Sequence, residues 1–324
     1  MNRDSTDASG WHPLTGLLCF ILALPASLPG SADQPIVDDA GLELTLPAPP
    51  QRIVALAPHI SELLYAIKAG DLLVGAVEHS DYPPQAKRLP RVGNAMQIRL
   101  EALLGLHPDL IVAWPSGNGE GQTERLQALG FSVYRSEPGG LTELPDALRR
   151  LGRAVDRERP AEDLAERIER SRSALQARVS QGEPLRVFVQ IWHRPLMTVS
   201  GRHYIAEVVR LCGGQTLFED TRELTPTVSR EAVLAADPQV ILSAGDGNAD
   251  GRELAHWRTL GATSAARYGN LFSLDPDLIS RPTPRLLNGA EEVCQALETA
   301  RDRLARQESQ DDAKNREAAR RPPR

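Results

Sequence analysis

One stretch of this chain is written twice. RLEALLGLHPDLIVAW (Arg99–Trp114) returns 130 residues later as SREAVLAADPQVILSAG, beginning at Ser229. In each copy a Glu (Glu101, Glu231) opens a short run of helical apolar spacing, a Pro follows seven residues on (Pro108, Pro238), and a wholly apolar strand-like run begins (Leu110–Trp114, Val240–Leu242). The repetition extends upstream. The β-rich runs Arg52–Pro58 and Arg186–Trp192 each precede a helical pattern, Ile60, Leu63, Leu64, Ile67 in one case and Ile205, Val208, Val209, Cys212 in the other, with Gly70 and Gly213-Gly214 as stops. The second copy carries an insertion, HRPLMTVSGRH, between strand and helix. Alternation of strand and helix predicts parallel sheets covered by helices. The fold class is therefore α/β, with two Rossmann-like lobes.

Between the copies, Pro160–Val179 (PAEDLAERIERSRSALQARV) places Leu164, Ile168, Leu175 and Val179 on one stripe and charges elsewhere. This predicts one long helix bridging the lobes, a stiff spacer rather than a flexible hinge. The expected division is a signal segment at 1–32, a first lobe at 33–158, the bridging helix at 159–182, a second lobe at 183–305 and a disordered tail at 306–324. The tail is assigned because RQESQDDAKNREAARRPPR has no apolar residue larger than Ala. Pockets favour domain interfaces and the carboxyl ends of parallel strands. Here those ends are Leu56–His59, Trp114–Gly117, Trp192–Arg194 and Ala244–Asp246, so Trp114 and Trp192 both stand where a strand feeds the cleft.

A chain of 324 residues with 41% hydrophobic and 25% charged residues has the composition of a globular protein. A net charge of −6 argues against a nucleic-acid partner, which calls for a basic surface. LTGLLCFILALPA, starting at Leu14, is too short to span a bilayer but suits a signal-peptide core, with a cleavage site after Gly30-Ser31-Ala32. Export to an oxidising compartment would leave Cys212 and Cys294 as the mature cysteines. Either they form one disulfide, the favoured reading, or they are two buried thiols.

The residues that could carry chemistry point to binding rather than catalysis. There is no HExxH, GxSxG, P-loop or GxGxxG pattern, and a metal site of protein side chains is not expected. With aromatic content at 4%, two Trp at strand ends are a concentration, suited to a large planar ligand, although each alone could fill a core gap. HSDYPP (His79–Pro84) and Asp277–Arg281 are polar loops, either ordinary surface or cleft rim. Glu101 and Glu231 near helix starts either offset the helix dipole or present paired carboxylates to a two-fold symmetric partner with matching Arg residues.

RIVALAPHISELLYAIKAG, VGAVEHSDYPPQAKRLPRVG, LEALLGLHPDLIVAWPSGN, LCGGQTLFED, TVSREAVLAADPQVIL and PRLLNGAEEVCQAL together resemble the periplasmic vitamin B12-binding proteins of cobalamin ABC importers. The likeness runs from Arg52 to Leu304 in order and spacing. These are class III periplasmic binding proteins of the helical-backbone metal and siderophore receptor superfamily. The resemblance implies a monomeric periplasmic protein that is not an enzyme. It would hold cobalamin or a related corrinoid in the interlobe cleft and deliver it to a membrane permease dimer with ATPase subunits. By position it makes His79, in place of a ligand-contacting Tyr, together with Tyr82 and Trp114, part of the ligand site. Asp277, Leu278, Ile279, Ser280 and Arg281 form the second ligand loop. Glu101 and Glu231 match two permease-docking acids, and Cys212 and Cys294 match a disulfide. Ala95 and Thr225 depart from pocket Trp residues, and Trp192 would restore the lost aromatic surface. An imidazole at His79 or His193 could reach the cobalt. The alternative on the same fold is haem or a ferric siderophore, with Arg194, Arg202, Arg281 and Arg285 supplying positive charge.

Overall fold

In the computed structural model, which describes residues 35–119, 121–179, 182–244 and 252–319, the apolar runs of the two copies form two separate four-stranded sheets. The first holds β1 (Ile53–Ala55), β2 (Leu73–Ala76), β3 (Leu110–Ala113) and β4 (Val133–Arg135) in the order β2-β1-β3-β4. The second holds β5 (Leu185–Gln190), β6 (Gly214–Thr216), β7 (Val240–Ser243) and β8 (Leu271–Ser273) in the order β6-β5-β7-β8. Every pairing in both sheets is parallel, and the two orders are the same once the second lobe is renumbered. β3 and β7 are buried at every residue. Continuous apolar runs, rather than alternating ones, are what a parallel sheet covered on both faces requires.

The crossovers are helical. In the first lobe α1 (Pro58–Ala66), α2 (Leu100–Gly105) and α3 (Gln122–Ala128) link successive strands, and α4 (Leu144–Ala154) follows β4. Pro58 occupies the first turn of α1, where its missing N–H costs nothing. The bridging helix is α5 (Glu158–Arg178), burying Ala161, Leu164, Ala165, Ile168 and Leu175. Val179, expected on the stripe, instead takes an extended conformation at the helix end. α4 and α5 approach closely, because any side chain at Gly152 would run into Ala161.

In the second lobe α6 (Tyr204–Leu211), α7 (Arg230–Ala236), α8 (Arg252–Leu260) and the short α9 (Ser264–Arg267) serve the same connections. α10 (Pro276–Ile279) and α11 (Leu286–Ala319) then close the lobe. The expected disordered tail is corrected here. α11 continues through Arg306 to Ala319. Lack of apolar side chains predicts only that this part leaves the core, whereas its Ala, Glu, Gln, Arg and Lys residues are good helix formers. Leu286, Ala290, Val293, Leu297 and Ala300 pack inward on the first turns. Further on, local contacts such as the Arg306–Asp302 pair at 4.0 Å accompany the helix.

Cys212, at the end of α6, is disulfide-bonded to Cys294 on α11, the favoured of the two cysteine readings. Before β1, the antiparallel pair Ile36–Val37 and Glu43–Leu44 is tied to the first lobe by two acids. Asp38 meets Arg135 at 3.3 Å and Asp39 meets Arg150 at 2.8 Å. Burial raises the Asp39 carboxyl pKa despite that partner. The expected signal segment, 1–32, lies outside the described residues. Among the described residues no helix is long and apolar enough to cross a membrane.

Candidate functional site

In the first sheet the strand order reverses between β1 and β3, which makes their carboxyl ends the expected binding edge. β1 runs there into His59 at the start of α1, and β3 into Trp114. The Trp114 indole is held on several sides. Its N–H donates to Glu137 Oε1 at 2.9 Å, and the same carboxylate accepts from the Ser116 N–H and hydroxyl. A side chain at Gly117 would collide with the ring, so this glycine is what lets the loop lie against it. Asn118 Oδ1 accepts from the Trp114 amide at 2.5 Å, and its NH2 donates to the carbonyls of Leu56 and Ala95 at 2.7 and 2.9 Å. His59 meets the indole edge-on. Desolvation, with Arg281 nearby, lowers the His59 pKa to about 3, so the imidazole is neutral.

The two polar loops predicted as ligand-contacting come together through Arg281 and Arg285, and both arginines are held by a residue that sequence reasoning missed. Glu62, on α1, has a side chain only 2% exposed. Arg281 Nη1 donates to its Oε1 at 2.6 Å, while Arg285 donates from Nε to Oε2 at 3.0 Å and from Nη2 to Oε1 at 2.9 Å. Arg281 also donates to Asp81 Oδ1 at 3.1 Å and to the His79 carbonyl at 3.3 Å. The Arg285 guanidinium lies over the Tyr82 ring, 3.9 Å from its centroid. Arg281 holds the Asp81 carboxyl below its ordinary value against the opposing effect of burial. The signal for Glu62 was legible in HISELLYAIKAG, as one acid between Ile60 and Leu63-Leu64 on a helix with an apolar face.

Within the second loop the residues divide. Asp277 and Ser280 are exposed and Leu278 is half-buried, but Ile279 is fully buried in the core and packs against Gly289. Ile279 therefore anchors the loop and has no surface to offer a ligand. His79 is exposed and adopts a left-handed backbone, φ 64°. Tyr82 and Trp192 are also exposed. Trp192 lies beyond the carboxyl end of β5 in a small ribbon, Trp192–His193 paired with Leu196–Met197, and its indole donates to the Arg194 carbonyl at 3.1 Å. Ring contacts join Trp114 to His59 and Trp192 to His193, so the two indoles are stations on different lobes rather than one stack.

A second tie between lobes lies at α6, where Glu207 Oε1 accepts from the Thr142 N–H at 2.8 Å and from its hydroxyl at 2.6 Å. Nearby, burial raises the Tyr204 phenol pKa, and burial lowers that of His203 to about 4. Glu101 and Glu231 are exposed in the first turns of α2 and α7, the equivalent helices preceding β3 and β7. Hydrogen bonds from its own backbone N–H and from Ser229 hold the Glu231 carboxyl below its ordinary value. Among the described residues no cluster of three or more His, Cys, Asp or Glu is placed to hold a metal ion.

Residues 53–278 match the family described as "Periplasmic binding protein". The chain is 37% identical over 257 residues to a protein named "Vitamin B12-binding protein" of Vibrio cholerae, covering 79% of this chain and 92% of that one. It is similar to the crystal structure of the periplasmic vitamin B12 binding protein BtuF of Vibrio cholerae, with a TM-score of 0.72, 37% identity, and coverage of 78% of this chain and 98% of the other. A periplasmic heme binding protein from Pseudomonas aeruginosa is more distant, with 26% identity, a TM-score of 0.65, and coverage of 76% and 92%.

Proposed function

The chain belongs to the periplasmic binding protein family, and on that premise we propose that it captures cobalamin or a related corrinoid between its lobes and hands it to an ABC importer. The observation that carries this reading is the meeting of the HSDYPP loop with the 277–285 loop through Arg281 and Arg285. The resemblance to vitamin B12-binding proteins marks both segments as ligand-contacting, and they come from opposite lobes.

Trp114 offers the corrin ring an indole whose position is fixed before the ligand arrives, which limits the ordering cost of binding. His79, Tyr82, Trp192, Asp277, Leu278 and Ser280 form the remaining rim, and Arg281 sits at its base. The protein does no chemistry on its ligand. It is made with a signal segment, works as a monomer in the periplasm, and docks on a permease dimer through Glu101 and Glu231, one acid from each lobe. Equivalent placement on α2 and α7 supports that role, since a two-fold symmetric partner requires matched contacts.

Haem or a ferric siderophore on the same fold is the competing reading, and the charge balance disfavours it. Arg281 and Arg285, its best candidates for an anionic ligand, are already paired with carboxylates. Deletion of the gene should abolish uptake of labelled cyanocobalamin and leave haem uptake intact. The reverse pattern would overturn the proposal.

A further inference from the structure

The cluster where the two polar loops meet contains two carboxylates and two guanidiniums, and its members come from both lobes. Glu62 and Asp81 belong to the first, Arg281 and Arg285 to the second. Glu62 is the hub, because both of its oxygens are occupied by arginine donors and its side chain is almost wholly shielded from solvent. Such a group carries its charge only because the arginines compensate it. The imidazole beside it, His59, adds no charge. Its desolvation is completed by Trp114 on one side, and Arg281 disfavours its protonation.

We propose that Glu62 is a specificity-determining residue, a positioning carboxylate that neutralises Arg281 and Arg285 so that the cleft selects an uncharged, amide-rimmed corrinoid over an otherwise identical ligand bearing carboxylates. The inference rests on the cobalamin reading above. Its physical content is electrostatic. A guanidinium paired with a buried carboxylate presents N–H groups as donors to neutral amides without presenting a net positive charge. Removing Glu62's charge leaves the cluster with a surplus of one, in a site where screening by water is reduced. The effect acts through the two arginines and requires no contact between Glu62 and the ligand.

The test compares cyanocobalamin with its monocarboxylic acid derivatives, in which one peripheral amide is replaced by a carboxylate of nearly the same shape. Wild-type protein should prefer the amide form. In Glu62→Gln the ratio of affinities, acid form to amide form, should rise by about tenfold at low salt, and the gain should shrink as salt is added. Glu62→Gln with Arg285→Gln restores the charge balance and should return the ratio toward wild type. Should Glu62→Gln fail to fold, Asp81→Asn removes a partly exposed charge from the same cluster and should move the ratio in the same direction. An unchanged ratio in a folded Glu62→Gln or Asp81→Asn protein, or a change insensitive to salt, would overturn the inference while leaving the cobalamin reading intact. Wild-type protein that binds neither corrinoid form would instead refute that reading, and this inference with it.

Discussion

The imidazole of His59 meets the indole of Trp114 edge-on, with ring centroids 5.0 Å apart and planes at 87°. One residue lies in the first turn of α1 and the other directly follows β3, so the contact joins the two strand ends that flank the switch point of the first sheet. With Glu137 at the indole N–H and Gly117 beneath the ring, Trp114 is a rigid aromatic platform.

Trp114→Ala should weaken cyanocobalamin binding by about 2 kcal/mol, or roughly thirtyfold in Kd, in the range of a buried aromatic anchor. Glu137→Gln keeps an acceptor for the indole and should lose far less. Titration calorimetry on the three proteins checks both expectations, and equal losses would show that the carboxylate itself carries the effect.

His59 gives the fold a pH dependence with a definite sign. Its folded pKa, about 3, lies below the ordinary histidine value of 6.5. The unfolded chain therefore binds a proton between these values that the folded chain refuses. The contribution is fully present above pH 6.5 and is lost progressively as pH falls toward 3, an accumulated loss on the order of several kcal/mol. His203, with its pKa lowered to about 4, acts in the same direction. His59→Phe removes the first titration only, so its melting temperature should fall less steeply than that of wild type between pH 6.5 and 4. Parallel profiles would contradict the burial of a neutral imidazole.

The disulfide between Cys212 and Cys294 closes 82 residues of sequence. A loop of that length corresponds to about 4 kcal/mol in the chain-entropy account. Cys212→Ala with Cys294→Ala should lower denaturant stability by that order, and reductant should no longer shift the transition.

Docking and capture should be separable. Glu101→Ala with Glu231→Ala should leave the cyanocobalamin Kd near wild type and depress uptake in cells, because both acids are exposed on α2 and α7, which carry no residue of the two polar loops. An equal fall in both quantities would show a shared surface.

Much of the architecture was legible because it is repeated. Glu101–Pro108 and Glu231–Pro238 mark equivalent helices, and the sheets they serve have the same strand order. The bridging helix was legible from its stripe of Leu164, Ile168 and Leu175. Composition misled at the carboxyl end, since a polar sequence can remain helical by local contacts alone. Position along the chain misled at Ile279, where a loop predicted to face a ligand turns one side chain into the core. The Glu62 cluster was hidden for a deeper reason. Glu62 stands more than two hundred positions before Arg281 and Arg285, and only the meeting of the lobes makes them neighbours. Thr142 and Glu207, 65 positions apart, likewise become neighbours only where the lobes meet.

Titration calorimetry of the purified mature chain with cyanocobalamin tests the central claim most directly. The account predicts one corrinoid per chain with a Kd below about 1 µM. No heat with cyanocobalamin, together with saturable binding of haemin or a ferric siderophore, would contradict it.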